Sequence, residues 1–78
     1  MVDPRSIEES IRSGLDCRHV EVSGDGAHFE AIVVSPAFEG QSRVRRHQLV
    51  YGALGERMRE EIHALSMRTL TPGEWAAR

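Results

Sequence analysis

Two histidines and an aspartate that could bind a metal fall at the ends of predicted strands. His28 lies at the mouth of the second strand, close to the turn Gly24-Asp25-Gly26, which places its imidazole beside an acidic side chain. Imidazole is a common metal ligand, but an exposed hairpin histidine is the simpler interpretation. His63 stands at the beginning of the third strand, where a side chain can point outward from the end of the sheet. The spacing alone leaves both interpretations of these positions open.

Three arginines crowd the start of the predicted central helix. Arg43, Arg45 and Arg46 follow directly after Ser42, a residue type that favours the N-cap position. The helix dipole disfavours cations in the first turn. This placement suggests a role in contact rather than in folding, while a solvated basic face is the simpler interpretation.

No enzyme motif accompanies these residues. The chain has no GxSxG, HExxH, P-loop or paired-carboxylate constellation, so we expect it not to be an enzyme. Its single cysteine, Cys17, excludes an internal disulfide and a CxxC metal site. We expect Cys17 to be a small buried apolar residue. The alternative is a thiol activated by Arg18 and His19.

Hydrophobic periodicity and turn residues predict the elements that position these side chains. Asp3 and Pro4 begin a helix whose apolar stripe is Ile7, Ile11 and Leu15. Alternating residues and turn signals predict a hairpin, a long helix and a third strand. The predicted ranges are strands at 19–23, 27–35 and 62–70, a helix from Ser42 to Glu60-Glu61 that Gly52 could divide, and a short helical turn at 71–75 capped by Thr71.

The periodicity also predicts which residues form the core. His47, Val50, Leu54 and Met58 form one row of the central helix, so His47 is expected to be a core residue. In the second strand, alternation places Phe29, Ala31 and Val33 on one face. The predicted core members are Val20, Val22, Val50, Leu54 and Leu65.

The order helix, strand, strand, helix, strand predicts one α+β domain over residues 1–78, with helices on one side of a three-stranded sheet. Of the 78 residues, 40% are hydrophobic and 28% charged, as in soluble globular proteins. No apolar run could span a membrane and no signal-peptide pattern opens the chain, so we expect a cytoplasmic protein without membrane contact. The net charge of −2 argues against a strongly basic nucleic-acid binder.

Four segments together resemble the BolA family, and in particular its IbaG (YrbA)-like branch. The segments are Val-Glu-Val-Ser-Gly-Asp-Gly-Ala-His-Phe at 20–29, Phe-Glu-Gly at 38–40, Arg-His-Gln-Leu-Val-Tyr at 46–51, and Ile-His-Ala-Leu-Ser-Met-Arg-Thr-Leu-Thr-Pro-Gly-Glu-Trp at 62–75. Each segment alone is weak evidence for the family, but the order and spacing of all four across nearly the whole chain are specific to it. The resemblance implies the αββαβ fold related to class II KH domains.

The resemblance further implies partnership with a monothiol glutaredoxin. Such pairs share a 2Fe–2S cluster, which glutathione helps to bind, and serve iron–sulfur cluster trafficking and maturation and iron homeostasis. The family's C-terminal histidine ligand matches His63. Members with a cysteine ligand in the hairpin carry it where this chain has Asp25, so His28 or Asp25 would supply the second ligand.

Two alternatives accompany this expectation. Some family members are described as transcriptional regulators, in which case Arg43, Arg45 and Arg46 would contact DNA phosphates. The other alternative is an adaptor that uses the same surface without any metal. Whether the free protein forms a homodimer stays open.

Overall fold

The computed structural model describes residues 2–78 and has the predicted α+β architecture, a three-stranded sheet combined with helices. The elements are α1 (Pro4–Gly14), β1 (His19–Gly24), β2 (His28–Val34), a 3-10 turn (Pro36–Phe38), α2 (Arg43–Leu54), α3 (Arg57–Glu60), β3 (Ala64–Leu70) and α4 (Pro72–Ala76). The αββαβ order is therefore confirmed, with α3 and α4 as short additions.

The predicted helix caps are all present. The Asp3 carboxylate accepts a hydrogen bond from the backbone N–H of Arg5 at 2.9 Å, and Pro4 occupies the first position of α1. Ser42 accepts from the N–H of Arg45 at the start of α2. Thr71 caps α4. These short polar side chains satisfy amides that would otherwise lack a partner, which is why sequence signals located the helix starts well.

The sheet has the order β1-β2-β3 and is mixed. β1 and β2 form the predicted antiparallel hairpin, with Val20 opposite Val33. β2 and β3 are parallel, with His28 opposite Ala64. A parallel pair needs a crossover connection, and α2 with α3 supplies it. The two strand starts therefore lie side by side at one end of the sheet.

The core lies between the sheet and helices α1 and α2. Phe29, Ala31 and Val33 face these helices and are buried, as alternation predicts. Val20, Val50 and Leu54 are also buried, which confirms their assignment. The other two predicted core members, Val22 and Leu65, are only half-buried and pack against the core from its margin.

Two predictions about the central helix are wrong. The helix does not continue to Glu61: it ends at Leu54, because Gly55 adopts φ +59°, and α3 follows as a separate turn. The break therefore falls at Gly55 and not at Gly52. His47 is only half-buried, whereas Val50 and Leu54 in the same row of α2 are buried in the core.

We expect the substitution Gly→Ala to have opposite effects on stability at two glycines. A Cβ on Gly14, at the end of α1, would lie 2.8 Å from the Cα of Ala53 on α2, whereas a Cβ on Gly52 would meet nothing within 4 Å. We expect Gly14→Ala to destabilise the protein by about 1–3 kcal/mol through overpacking. Gly52→Ala, in a helix interior, should stabilise it by about 0.5–1 kcal/mol.

Urea denaturation of both variants measures the two changes in the free energy of unfolding. Equal stability changes of the two variants would contradict the close approach of α1 and α2.

Candidate metal-ligand site

The hairpin turn holds Asp25 and His28 in a fixed relation. One carboxylate oxygen of Asp25 accepts hydrogen bonds from the backbone N–H groups of Ala27 and His28, each at 2.9 Å. The N–H of Asp25 in turn donates to the carbonyl of His28 at 3.2 Å. Gly26 takes φ +99° between them, a conformation that glycine adopts without steric cost. The chain therefore leaves the turn with both side chains exposed.

The same hydrogen bonds set the charge of Asp25. The N–H of His28, followed by that of Ala27, stabilises the carboxylate and lowers the pKa of Asp25 below its ordinary value. The side chain is fully exposed and stays ionised at neutral pH. Because one of its oxygens is already engaged in the turn, Asp25 has only part of its ligand capacity free.

We expect an NMR titration to place the pKa of Asp25 below that of an ordinary aspartate. Since the folded-state pKa is lowered, the stability that the ionised turn contributes is complete above the unfolded-state pKa and is lost as the pH falls through the folded-state value. The stability difference between wild type and Asp25→Ala should therefore shrink in acid. A difference that stays constant between pH 7 and pH 2 would contradict this role.

His63 lies in the bend immediately before β3 and is exposed. The prediction put it inside the strand, but β3 begins only at Ala64. Ile62, which is 4% exposed, anchors this segment in the core, and its N–H donates to the carbonyl of Arg57 at 3.0 Å. The buried Ile62 therefore fixes the position from which His63 projects. Sequence reasoning missed this anchor, although the apolar residue before His63 was the available signal.

The parallel register brings the two histidines to the same end of the sheet. His28 pairs with Ala64, the residue after His63, and neighbouring strands lie about 4.8 Å apart. Within residues 2–78, no group of three or more histidine, cysteine, aspartate or glutamate side chains is placed to hold a metal ion. Two exposed imidazoles can supply only part of a coordination sphere, so a metal centre here would need ligands from another molecule.

Cys17 does not belong to this site. It precedes β1, at the opposite end of that strand from the hairpin turn, and is half-buried against the core. Burial raises the pKa of the Cys17 thiol, although the Arg12 charge opposes this effect. The thiol is thus protonated at neutral pH, as expected of a packed apolar residue rather than an activated nucleophile.

The three arginines at the start of α2 have different surroundings. Arg43 and Arg45 are exposed. The Arg46 side chain is only 14% exposed: its guanidinium donates to the carbonyls of Gln41 at 2.9 Å and Thr69 at 3.1 Å. It also bonds the Glu74 carboxylate at 2.8 Å. Arg46 thereby joins the start of α2 to the end of β3 and to α4.

The contact with Arg46 also determines the charge of Glu74. The guanidinium hydrogen bond, followed by the N–H of Thr71, lowers the pKa of Glu74. The ion pair joins residues 28 positions apart. No local spacing predicts it, and sequence reasoning accordingly grouped Arg46 with its two exposed neighbours.

Comparison with known proteins gives consistent results. The family model described as BolA-like protein matches residues 2–74. The acid stress protein IbaG of Escherichia coli K12 is 42% identical over 76 residues, which covers 96% of this chain and 90% of that protein. The DNA-binding transcriptional regulator BolA of Haemophilus influenzae is 38% identical over 60 residues, covering 77% of this chain and 58% of that protein.

A solved structure extends the similarity to the fold. The bolA protein homologue from Coxiella burnetii is 49% identical and superposes with a TM-score of 0.90, covering 97% of this chain and 99% of its own. Separately, no helix within residues 2–78 is both long and apolar enough to cross a bilayer.

Proposed function

Because this chain belongs to the BolA-like protein family, we propose that it partners a monothiol glutaredoxin and shares a 2Fe–2S cluster with it. The role is cytoplasmic and non-enzymatic: cluster trafficking and maturation, with a consequence for iron homeostasis. The observation that carries the proposal is the placement of His28 and His63, both exposed, at the adjacent starts of β2 and β3.

The donor set fits a shared cluster. Cysteine thiolate and imidazole are the usual ligands of iron–sulfur clusters, whereas carboxylate oxygen is a poorer match for their soft irons. His63 is the first ligand in this proposal. His28 is the second and is preferred over Asp25, because one Asp25 oxygen already accepts two backbone hydrogen bonds.

An incomplete site explains why a partner is needed. This chain supplies two ligands, and the glutaredoxin cysteine with its bound glutathione would supply the others. In this proposal the chain binds and positions the cluster but does no chemistry itself. Ile62 and the Asp25 turn position the imidazoles of His63 and His28. Both imidazoles are exposed and therefore accessible to the partner. When bound, the cluster would supply the iron chemistry.

Co-expression with a monothiol glutaredoxin tests this function. We expect a purified heterodimer whose absorption and circular dichroism spectra are those of a 2Fe–2S centre and differ from the spectra of the glutaredoxin alone. Cys17→Ser is the matched control, since thiolate is a common cluster ligand and Cys17 lies away from the proposed site. Its complex should keep the wild-type spectrum. A heterodimer that never acquires iron and sulfide would contradict the proposal and favour a metal-free adaptor.

DNA binding is the second candidate function. It is favoured by the exposure of Arg43 and Arg45 and by the name of the Haemophilus relative. Phosphate contacts release counterions, so each lost contact reduces the slope of log K against log salt by about 0.9. If this candidate is correct, the double variant Arg43→Ala, Arg45→Ala should reduce that slope by about 2.

The matched control for the DNA experiment is Arg5→Ala, an exposed arginine on α1. It should leave the slope unchanged. Arg46→Ala is unsuitable because it would also break the contacts between α2, β3 and α4. An identical salt slope for wild type and the double variant would exclude this surface as a DNA contact.

A further inference from the structure

A three-layer stack of side chains lies at the end of the sheet opposite the candidate metal-ligand site. The His19 ring stacks on Trp75 with ring centroids 4.8 Å apart and an angle of 21° between the planes. The Arg78 guanidinium lies 3.4 Å from the centroid of the Trp75 ring. His19 Nε2 is also 2.5 Å from a carboxylate oxygen of Glu21. One imidazole thus contacts both an aromatic ring and an acid.

The stack attaches α4 to the sheet face that α1 and α2 leave uncovered. Val20 belongs to the core on the helix-bearing face, so its neighbour His19 lies on the opposite face. His19 pairs with Val34, which is fully buried although it lies outside the core cluster. Trp75 lies on α4, which follows β3, and therefore contacts His19 on β1 across this face of the sheet.

The second attachment of α4 is the ion pair between Glu74 and Arg46. The lowered pKa of Glu74 keeps this carboxylate ionised from neutral pH down into the acid range. The Glu74 contact is consequently constant between pH 5 and pH 8. The remaining attachment of α4 is the contact between Trp75 and His19.

His19 supplies the imidazole in that other contact. Imidazole changes its charge between about pH 5 and 8. The other charged groups near His19, on its own segment, on the same sheet face and on α4, are Asp16, Arg18, Glu21, Arg68, Glu74 and Arg78. Arg18 is paired with Asp16, and Arg68 lies two strands away from Glu21 in the same row.

We propose that His19 is a pH-dependent latch for α4, which acid tightens. Neutral imidazole offers Trp75 a stacking surface only. Protonated imidazole adds a cation on the indole face, which favours the docked helix. The contact of His19 with Glu21 lies within β1 and does not involve α4. The Arg78 charge on the far face of the indole opposes this gain but is separated from His19 by the ring. Docking is therefore stronger when His19 carries a proton than when it is neutral, so it weakens as the pH rises.

Trp75 provides a direct measurement, because it is the single tryptophan of the chain. We expect its fluorescence to fall as the pH is lowered from 8 to 5, since a stacked imidazolium quenches indole emission. Over the same range, the protection factors of the Trp75 and Ala77 amides, which bond to the carbonyls of Thr71 and Gly73, should rise about threefold after correction for intrinsic exchange.

Three variants make the test specific. His19→Gln should abolish both pH dependences, whereas Glu21→Gln, which removes a contact within β1, should keep them. His47→Gln is the matched control: this histidine lines the groove that contains Glu74 and takes no part in the stack on Trp75, so its loss should change neither dependence. The proposal is contradicted if the wild-type fluorescence and protection factors are constant between pH 5 and 8. It is also contradicted if their pH dependence persists in His19→Gln or is lost in His47→Gln.

Discussion

The His63→Ala variant is expected to form the heterodimer with a monothiol glutaredoxin but to lose the normal shared cluster. His63 is exposed, and the neighbouring Ile62 is buried in the core, so the substitution should remove the proposed ligand without disturbing the fold. Even substitutions beyond the metal ligands reduce metal affinity by about 10- to 100-fold. We therefore expect the cluster lifetime to fall at least tenfold, together with a changed visible circular dichroism spectrum.

Two further histidine variants complete this experiment. His28→Ala should shorten the cluster lifetime by a smaller factor, because Asp25 lies beside it and could supply an oxygen ligand. His47→Ala, at a half-buried histidine on α2, should leave the cluster unchanged. A His63→Ala complex with the wild-type spectrum and lifetime would disprove the ligand assignment, and the metal-free adaptor would then be the better account.

Phe38→Ala is expected to have a large effect on stability. Phe38 ends the 3-10 turn between β2 and α2, is fully buried in the core, and has the Arg46 guanidinium 5.9 Å from its ring centroid. Removing a buried phenylalanine side chain costs about 3–5 kcal/mol. Small domains have total stabilities of about 5–15 kcal/mol, so a large part of the stability of this 78-residue chain should be lost.

Urea denaturation at constant m-value measures this loss, and Val44→Ala is the control. Val44 is 67% exposed in the first turn of α2, so its truncation should change the free energy of unfolding by less than about 0.5 kcal/mol. Similar midpoints for the two variants would mean that the connection between β2 and α2 is not anchored by Phe38.

The sequence predicted those features that depend on short-range chemistry. Asp3, Ser42 and Thr71 mark the helix starts because each satisfies amides within three residues of itself. Alternation in β2 predicted its buried face for the same local reason. The family resemblance was also available from sequence, since it rests on segments whose order and spacing can be read directly.

Local patterns failed where the three-dimensional path of the chain decided the outcome. The periodic row of α2 includes His47 and Met58, but Gly55 ends the helix before Met58, and His47 is only half-buried. Val22 and Leu65 follow the same alternation as the buried residues, yet they lie at the margin of the core. Periodicity gives the face of an element but not how far its neighbours extend over that face.

The sequence by itself therefore determined the element order, the caps, most of the core and the candidate ligands His28, Asp25 and His63. Only the tertiary structure decided how these residues meet. The parallel register that sets His28 beside Ala64, the Arg46–Glu74 ion pair and the stacking of His19 on Trp75 all join distant parts of the chain. Such contacts depend on strand pairing and helix docking, which are long-range interactions that no local spacing encodes.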